Sequence, residues 1–146
     1  MANERTILLV EDDADDVELT RRALQDSIFA NRIVVAPDGR QALDYLFAEG
    51  AHAGRDPADQ PHLILLDLSL PVIDGLDVLG HIRADPRTNH IPVVILTASS
   101  ADDDMIRSYN LGANSFVRKS HHFQQFIAAI RQVELYWLAV NAPRPR

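Results

Sequence analysis

The chain has 146 residues, with 14 Lys and Arg against 21 Asp and Glu and a formal net charge of −7. At 47% hydrophobic and 24% charged it is too apolar for a disordered segment and long enough for one domain with a buried core. The acidic balance repels phosphate backbones and argues against direct DNA binding, and the lack of cysteine removes disulfides and thiolate chemistry. No apolar run approaches the roughly 20 residues that cross a bilayer, so a soluble, cytoplasmic protein without membrane contact is expected.

Short aliphatic runs alternate with segments of helical period, the pattern of a parallel sheet covered by helices. Ile7 to Val10 is almost purely aliphatic, as a strand buried on both faces should be. Asp13 to Ile28 follows as a helix with Ala14, Val17, Leu24 and Ile28 on its apolar stripe. Arg32 to Ala36 reads as the second strand, and Pro37-Asp38-Gly39 turns into a helix bearing Ala42, Leu43, Leu46 and Phe47. Gly50 to Gln60 is small, polar and interrupted by Pro57, which predicts an exposed loop. Leu63 to Leu66 is the third strand, followed by a turn at Asp74-Gly75 and a short helix with Val78, Leu79 and Ile82.

Pro92 to Leu96 is the fourth strand, and Asp102 to Leu111 a helix whose leading acids Asp102, Asp103 and Asp104 suit the positive end of a helix dipole. Ser115 to Arg118 is the fifth strand. The last helix runs from about His122 to Val140, with Phe123, Phe126, Ile127, Ile130, Val133 and Trp137 on its stripe. The expectation is an α/β single domain over 1–146, a doubly wound five-stranded parallel sheet of (βα)₅ order. Residues 135–146 extend the last helix into a tail.

Ligands of open parallel sheets bind beyond the carboxyl ends of the strands. The polar residues at those ends are Glu11, Asp12 and Asp13 after the first strand, Asp67 after the third, Thr97 after the fourth and Lys119 after the fifth. Carboxylates gathered without a cation repel one another, and a hard divalent cation such as Mg²⁺ removes that conflict. An aspartate, a metal, a lysine and a hydroxyl around one point suit phosphoryl transfer. Within the acidic run, Asp13, Asp15, Asp16 and Glu18 read as dipole and solubility residues. His121 and His122, adjacent at a helix start, point in different directions and read as surface residues.

The segments Ile7-Leu-Leu-Val-Glu-Asp-Asp13, Leu65-Leu-Asp-Leu-Ser-Leu-Pro71, Asp74-Gly75, Thr97-Ala98 and Phe116-Val-Arg-Lys119 resemble the receiver domain of two-component response regulators, a flavodoxin-like fold. The resemblance implies that Asp67 is the phosphoacceptor for a sensor histidine kinase. It also implies that Glu11, Asp12, Asp67 and the backbone carbonyl of Ser69 surround Mg²⁺, and that Thr97 and Lys119 hold the phosphoryl oxygens. Phe116 takes the place of the switch aromatic that turns inward with Thr97, although an aromatic on a short strand also reads as core. The aspartyl phosphate would be lost to water by the domain's own catalysis, with Ser69 and Ser99 flanking the approach.

The loop after Asp44-Tyr45-Leu46 is similar to that of single-domain regulators paired with bacterial phytochromes, as are Ile82-Arg-Ala-Asp-Pro86, Arg107 to Asn114 and the Tyr136-Trp137-Leu138 tail. That similarity implies a phytochrome kinase as partner and a homodimer, with output through contacts of the receiver itself. The stretch Leu135 to Val140 is apolar nearly all round, which independently points to a buried or subunit-facing segment. One departure is Ser120 after Lys119, where the family usually places a proline in a cis peptide. A cis bond before a non-proline residue costs about 2.5–4 kcal/mol, so a trans bond and an altered loop are expected, with Lys119 still reaching Asp67.

Two other readings compete. A haloacid-dehalogenase-type phosphatase also uses a strand-end aspartate, Mg²⁺ and a lysine, but places a second aspartate where Ser69 stands. A phospho-independent adaptor would bind its partner regardless of Asp67.

Overall fold

A computed structural model of the chain describes residues 5–25 and 31–145. The strands are β1 (Arg5–Val10), β2 (Asn31–Ala36), β3 (Leu63–Leu66), β4 (Val93–Thr97) and β5 (Ser115–Arg118). The helices are α1 (Ala14–Gln25), α2 (Gly39–Phe47), α3 (Gly75–Ala84), α4 (Asp102–Asn110) and α5 (Phe123–Leu135). All pairings are parallel and the strand order is β2-β1-β3-β4-β5. The doubly wound (βα)₅ sheet expected from the alternation is therefore present.

Strand alternation divides the core in two. Leu8, Val10, Ile64, Leu66, Val93 and Ile95 face α2 and α3, whereas Ile7, Leu9, Leu63, Leu65, Val94 and Leu96 face α1 and α5. The chain leaves β1 toward β2 on one side and returns through β3 on the other. The direction of winding thus reverses between β1 and β3, where such sheets open a crevice at their carboxyl edge.

The structure moves several elements. β4 ends at Thr97 and begins at Val93, because Pro92 has no N–H for the ladder, although its carbonyl accepts from Ile64 N at 2.9 Å. On α1, Ala14 is exposed and the inward residues are Val17, Thr20, Ala23 and Leu24; the predicted extension to Ile28 lies outside the described residues. The predicted exposed loop is tied down at its end. Gln60 is buried and its Nε2 donates to Leu46 O at 2.8 Å and Pro57 O at 2.7 Å. Arg55 lies over the Tyr45 ring, 3.8 Å from its centroid, and donates to the Tyr45 and Asp59 carbonyls.

The last helix is not one α-helix to Val140. α5 stops at Leu135 and a single π turn covers Tyr136–Val140. Phe126, Ile130, Glu134 and Leu138 are buried, whereas Phe123 is exposed. This corrects one of the residues expected at a dimer interface. Leu138 turns into its own domain beside α1 and α5, Trp137 is half-buried against the same cluster, and Tyr136 faces outward. Among the described residues, no helix is long and apolar enough to cross a membrane.

Candidate functional site

The strand tips at the reversal deliver the carboxylates. Glu11 directly follows β1 and is 2% exposed; Asp67 directly follows β3 and is 7% exposed; Asp12 is exposed beside them. One carboxylate oxygen from each of Glu11, Asp12 and Asp67 falls within 4.8 Å of the other two. Asp67 is oriented by its own loop: Leu68 N donates to its Oδ1 at 2.7 Å and Ser69 N at 3.4 Å. The close pass of α3 beneath it requires Gly75, since a Cβ there would sit 2.2 Å from Asp67 O.

Lys119, the only lysine in the chain, follows β5 and reaches across the crevice. Its Nζ donates to Asp67 Oδ2 at 3.2 Å, to Asp16 Oδ2 at 2.8 Å and to Glu11 Oε1. Among the described residues there is no cis peptide, so the bond to Ser120 is trans and the lysine still meets Asp67, as expected.

Burial is the main force on Glu11. It pushes this carboxyl from 4.5 up to about 7, with the Lys119 hydrogen bond opposing and the Asp67 charge reinforcing the rise. Burial alone would pull the Lys119 ammonium down. The hydrogen bonds to Asp16 and Glu11, with the charges of Asp67 and Glu11, outweigh it and hold the lysine firmly protonated.

Thr97 lies at the tip of β4 and is buried; its Oγ1 accepts from Ser99 N at 3.3 Å, and its carbonyl accepts from Lys119 N at 2.8 Å. Ser69 lines the same open cleft of about 540 Å³ as the acids and Lys119. Ser99 lies in the turn before α4: its Oγ donates to Asp104 Oδ2 at 2.6 Å and accepts from Ala101 N at 3.2 Å. Phe116 is half-buried against the α2–α3 side of the core, with the Arg118 guanidinium 5.7 Å from its ring centroid. His121 and His122 are exposed.

Sequence reasoning missed Asp16, which it placed among the solvated acids. Asp13 Oδ1 accepts from Asp15 N at 2.9 Å and Asp16 N at 3.1 Å, and this capping turn rolls Asp16 onto the inner face of α1. The available signal was Thr20, one helical turn later and 1% exposed, with its Oγ1 donating to Asp16 O at 2.7 Å.

The donor set fits a magnesium ion: three hard carboxylate oxygens, two of them from buried residues, in a cleft open enough to leave coordination positions for water and a phosphoryl oxygen.

Comparison with known proteins agrees with this geometry. The response regulator receiver domain family matches residues 7–131. The response regulator Rcp1 of Synechocystis is 37% identical over 92% of this chain and 89% of its own length. The Mn(2+)-bound form of Rcp1 superposes with a TM-score of 0.89 at 35% identity, over 97% of this chain and 99% of that one. The phosphorylated cyanobacterial phytochrome response regulator RcpA gives 0.91 at 37% identity, with 97% and 99% covered. The bacteriophytochrome response regulator RtBRR gives 0.77 at 46% identity, with 99% and 86% covered.

Proposed function

Because this chain belongs to the response regulator receiver family, we propose that it accepts a phosphoryl group on Asp67 from a phytochrome-type histidine kinase. The observation that carries the reading is Lys119, which ties Asp67 to Glu11 at the tip of β1 by direct hydrogen bonds. An Oδ of Asp67 attacks phosphorus; a P–O bond forms while the P–N bond to the donor histidine breaks, and the imidazole leaves with that electron pair. Asp67 Oδ1 is held by the Leu68 and Ser69 amides, which leaves Oδ2, on the Lys119 side, as the attacking atom.

Glu11, Asp12, Asp67 and the Ser69 carbonyl would hold Mg²⁺, which supplies charge neutralisation as the phosphoryl group moves. Lys119 and Thr97 take the remaining phosphoryl oxygens. Thr97 leaves its contact with Ser99 N to do so, and Phe116 turns with it, which alters the face made by α4, β5 and α5. Water later hydrolyses the aspartyl phosphate and returns Asp67 to a carboxylate. The phytochrome assignment is supported by the likeness to RcpA and RtBRR.

The protein also pairs as a homodimer in this reading, through the apolar residues left exposed on α4 and its C-cap, at the end of α5 and on the π turn that follows: Ile106, Tyr109, Leu111, Leu135, Tyr136 and Val140. Sedimentation at about 10–50 μM, within the range of weak association, should give a dimer; a monomer there contradicts the pairing.

The test of phosphoacceptance is incubation with acetyl phosphate and Mg²⁺, followed by intact-mass measurement. A gain of one phosphoryl group, absent without Mg²⁺ and absent in Asp67→Asn, is expected. Steady turnover of a phosphate monoester without phosphoprotein would favour a phosphatase instead. Kinase binding that is indifferent to Asp67→Asn would favour an adaptor.

A further inference from the structure

We infer that Asp16 is a positioning residue that aims Lys119 at the phosphoryl group carried by Asp67. The inference rests on the phosphoacceptor reading and concerns how the lysine finds its target. An ammonium has three N–H donors, and Lys119 spends them on Glu11, Asp67 and Asp16. Glu11 and Asp67 belong to the set that would meet the metal and the phosphoryl group, so both of those hydrogen bonds are exchanged when either arrives.

Asp16 stands outside that set, on the first turn of α1. Its backbone is pinned from both directions: its N–H donates to Asp13 Oδ1 at 3.1 Å and its carbonyl accepts from Thr20 Oγ1 at 2.7 Å. Lysine is a flexible four-carbon stem bearing a point charge, and holding it in one geometry requires a fixed partner. The 2.8 Å bond to Asp16 supplies that partner. When the phosphoryl group is in place, Lys119 exchanges its 3.2 Å contact with Asp67 Oδ2 for a phosphoryl oxygen and keeps Asp16.

The test uses the full chain with Mg²⁺ and beryllofluoride, a phosphoryl mimic followed by fluorine NMR. Asp16→Ala, Asp16→Asn, Lys119→Ala and the double variant Asp16→Ala/Lys119→Ala are compared, with circular dichroism to confirm folding. Asp16→Ala should weaken beryllofluoride about tenfold, Asp16→Asn less, and neither should weaken Mg²⁺ measured alone. In the Lys119→Ala background Asp16→Ala should cost nothing more, because its effect passes through the lysine. A second readout comes from the lysine being single: its ¹⁵Nζ signal in the metal-free protein should be protected from solvent exchange and lose that protection in Asp16→Ala and Asp16→Asn. Unchanged beryllofluoride affinity in Asp16→Ala, or losses that multiply in the double variant, would overturn the inference. Failure of the unaltered protein to bind beryllofluoride with Mg²⁺ would instead remove the phosphoacceptor reading, and the inference with it.

Discussion

Two part-buried cations bracket β5, and they are held in opposite ways. At the amino edge Arg83, in the last turn of α3, donates to neutral acceptors: Gly112 O at 2.8 Å, Asn89 O at 3.2 Å, Ile91 O at 2.8 Å and Asn114 Oδ1 at 2.7 Å. At the carboxyl edge Lys119 donates to three carboxylates. Burial pulls Arg83 downward in pKa, yet an arginine stays charged and no ligand competes for backbone carbonyls. Two of the acceptors of Lys119, Glu11 and Asp67, are groups a metal would engage, and a phosphoryl oxygen would compete with them for the ammonium, while Asp16 stands apart. The arginine end is thus built to stay, and the lysine end to be exchanged.

The largest expected effect falls on the fixed end. Arg83→Met should remove about 2–4 kcal/mol of stability in urea unfolding, since four acceptors lose a charged donor. Beryllofluoride affinity should hold; a loss there would break the separation between the two ends. Gly112→Ala tests the same clamp through the backbone. Its φ is +103° and a Cβ would lie 3.0 Å from Arg83 Cγ, so a cost of about 1–3 kcal/mol is expected.

The exchangeable end should respond in function more than in stability. Lys119→Ala should cost less in urea unfolding than Arg83→Met, because Glu11 can take a proton when the ammonium is gone. Mg²⁺ affinity should rise on the order of tenfold once a cation is removed from its ligands. Phosphorylation should fall below detection.

The raised pKa of Glu11 gives a pH signature with a definite sign. An acid with a folded pKa of about 7 against an ordinary 4.5 stabilises the fold below 4.5, and that stability is lost as pH rises through about 7 in metal-free protein. Mg²⁺ needs the carboxylate, so its affinity should climb across the same window, flatten above it, and be accompanied by proton release in calorimetry. Glu11→Gln should abolish the slope. The smallest effect belongs to the exposed Arg118–Asp102 pair at 3.3 Å: Arg118→Ala should change stability by about 0.5 kcal/mol or less.

How much of this could be read beforehand depends on which forces set each feature. Glu11, Asp12, Asp67, Thr97 and Lys119 were legible because a parallel sheet brings every strand's carboxyl tip to one edge, so strand ends alone name them. Asp16 was hidden because the inner face of α1 is set partly by Thr20, a polar residue that a hydrophobic stripe does not count. The end of α5 was misphased for a different reason: a π turn shifts the helical period, so Leu138 packs inward where a continued α stripe places Trp137. The tethering of the 50–60 loop rests on Gln60 bonding back to Leu46, a contact no local pattern encodes.

The central claim is that acids from the tips of β1 and β3 share one metal ion beside Lys119. Manganese titration followed by proton–nitrogen NMR tests it most directly, since the paramagnetic ion broadens whatever lies nearest. Amides of residues 11–13 and 67–69 should broaden first and together, and excess Mg²⁺ should restore them. Broadening that starts at His121 and His122, or that reaches one strand tip without the other, would contradict the account.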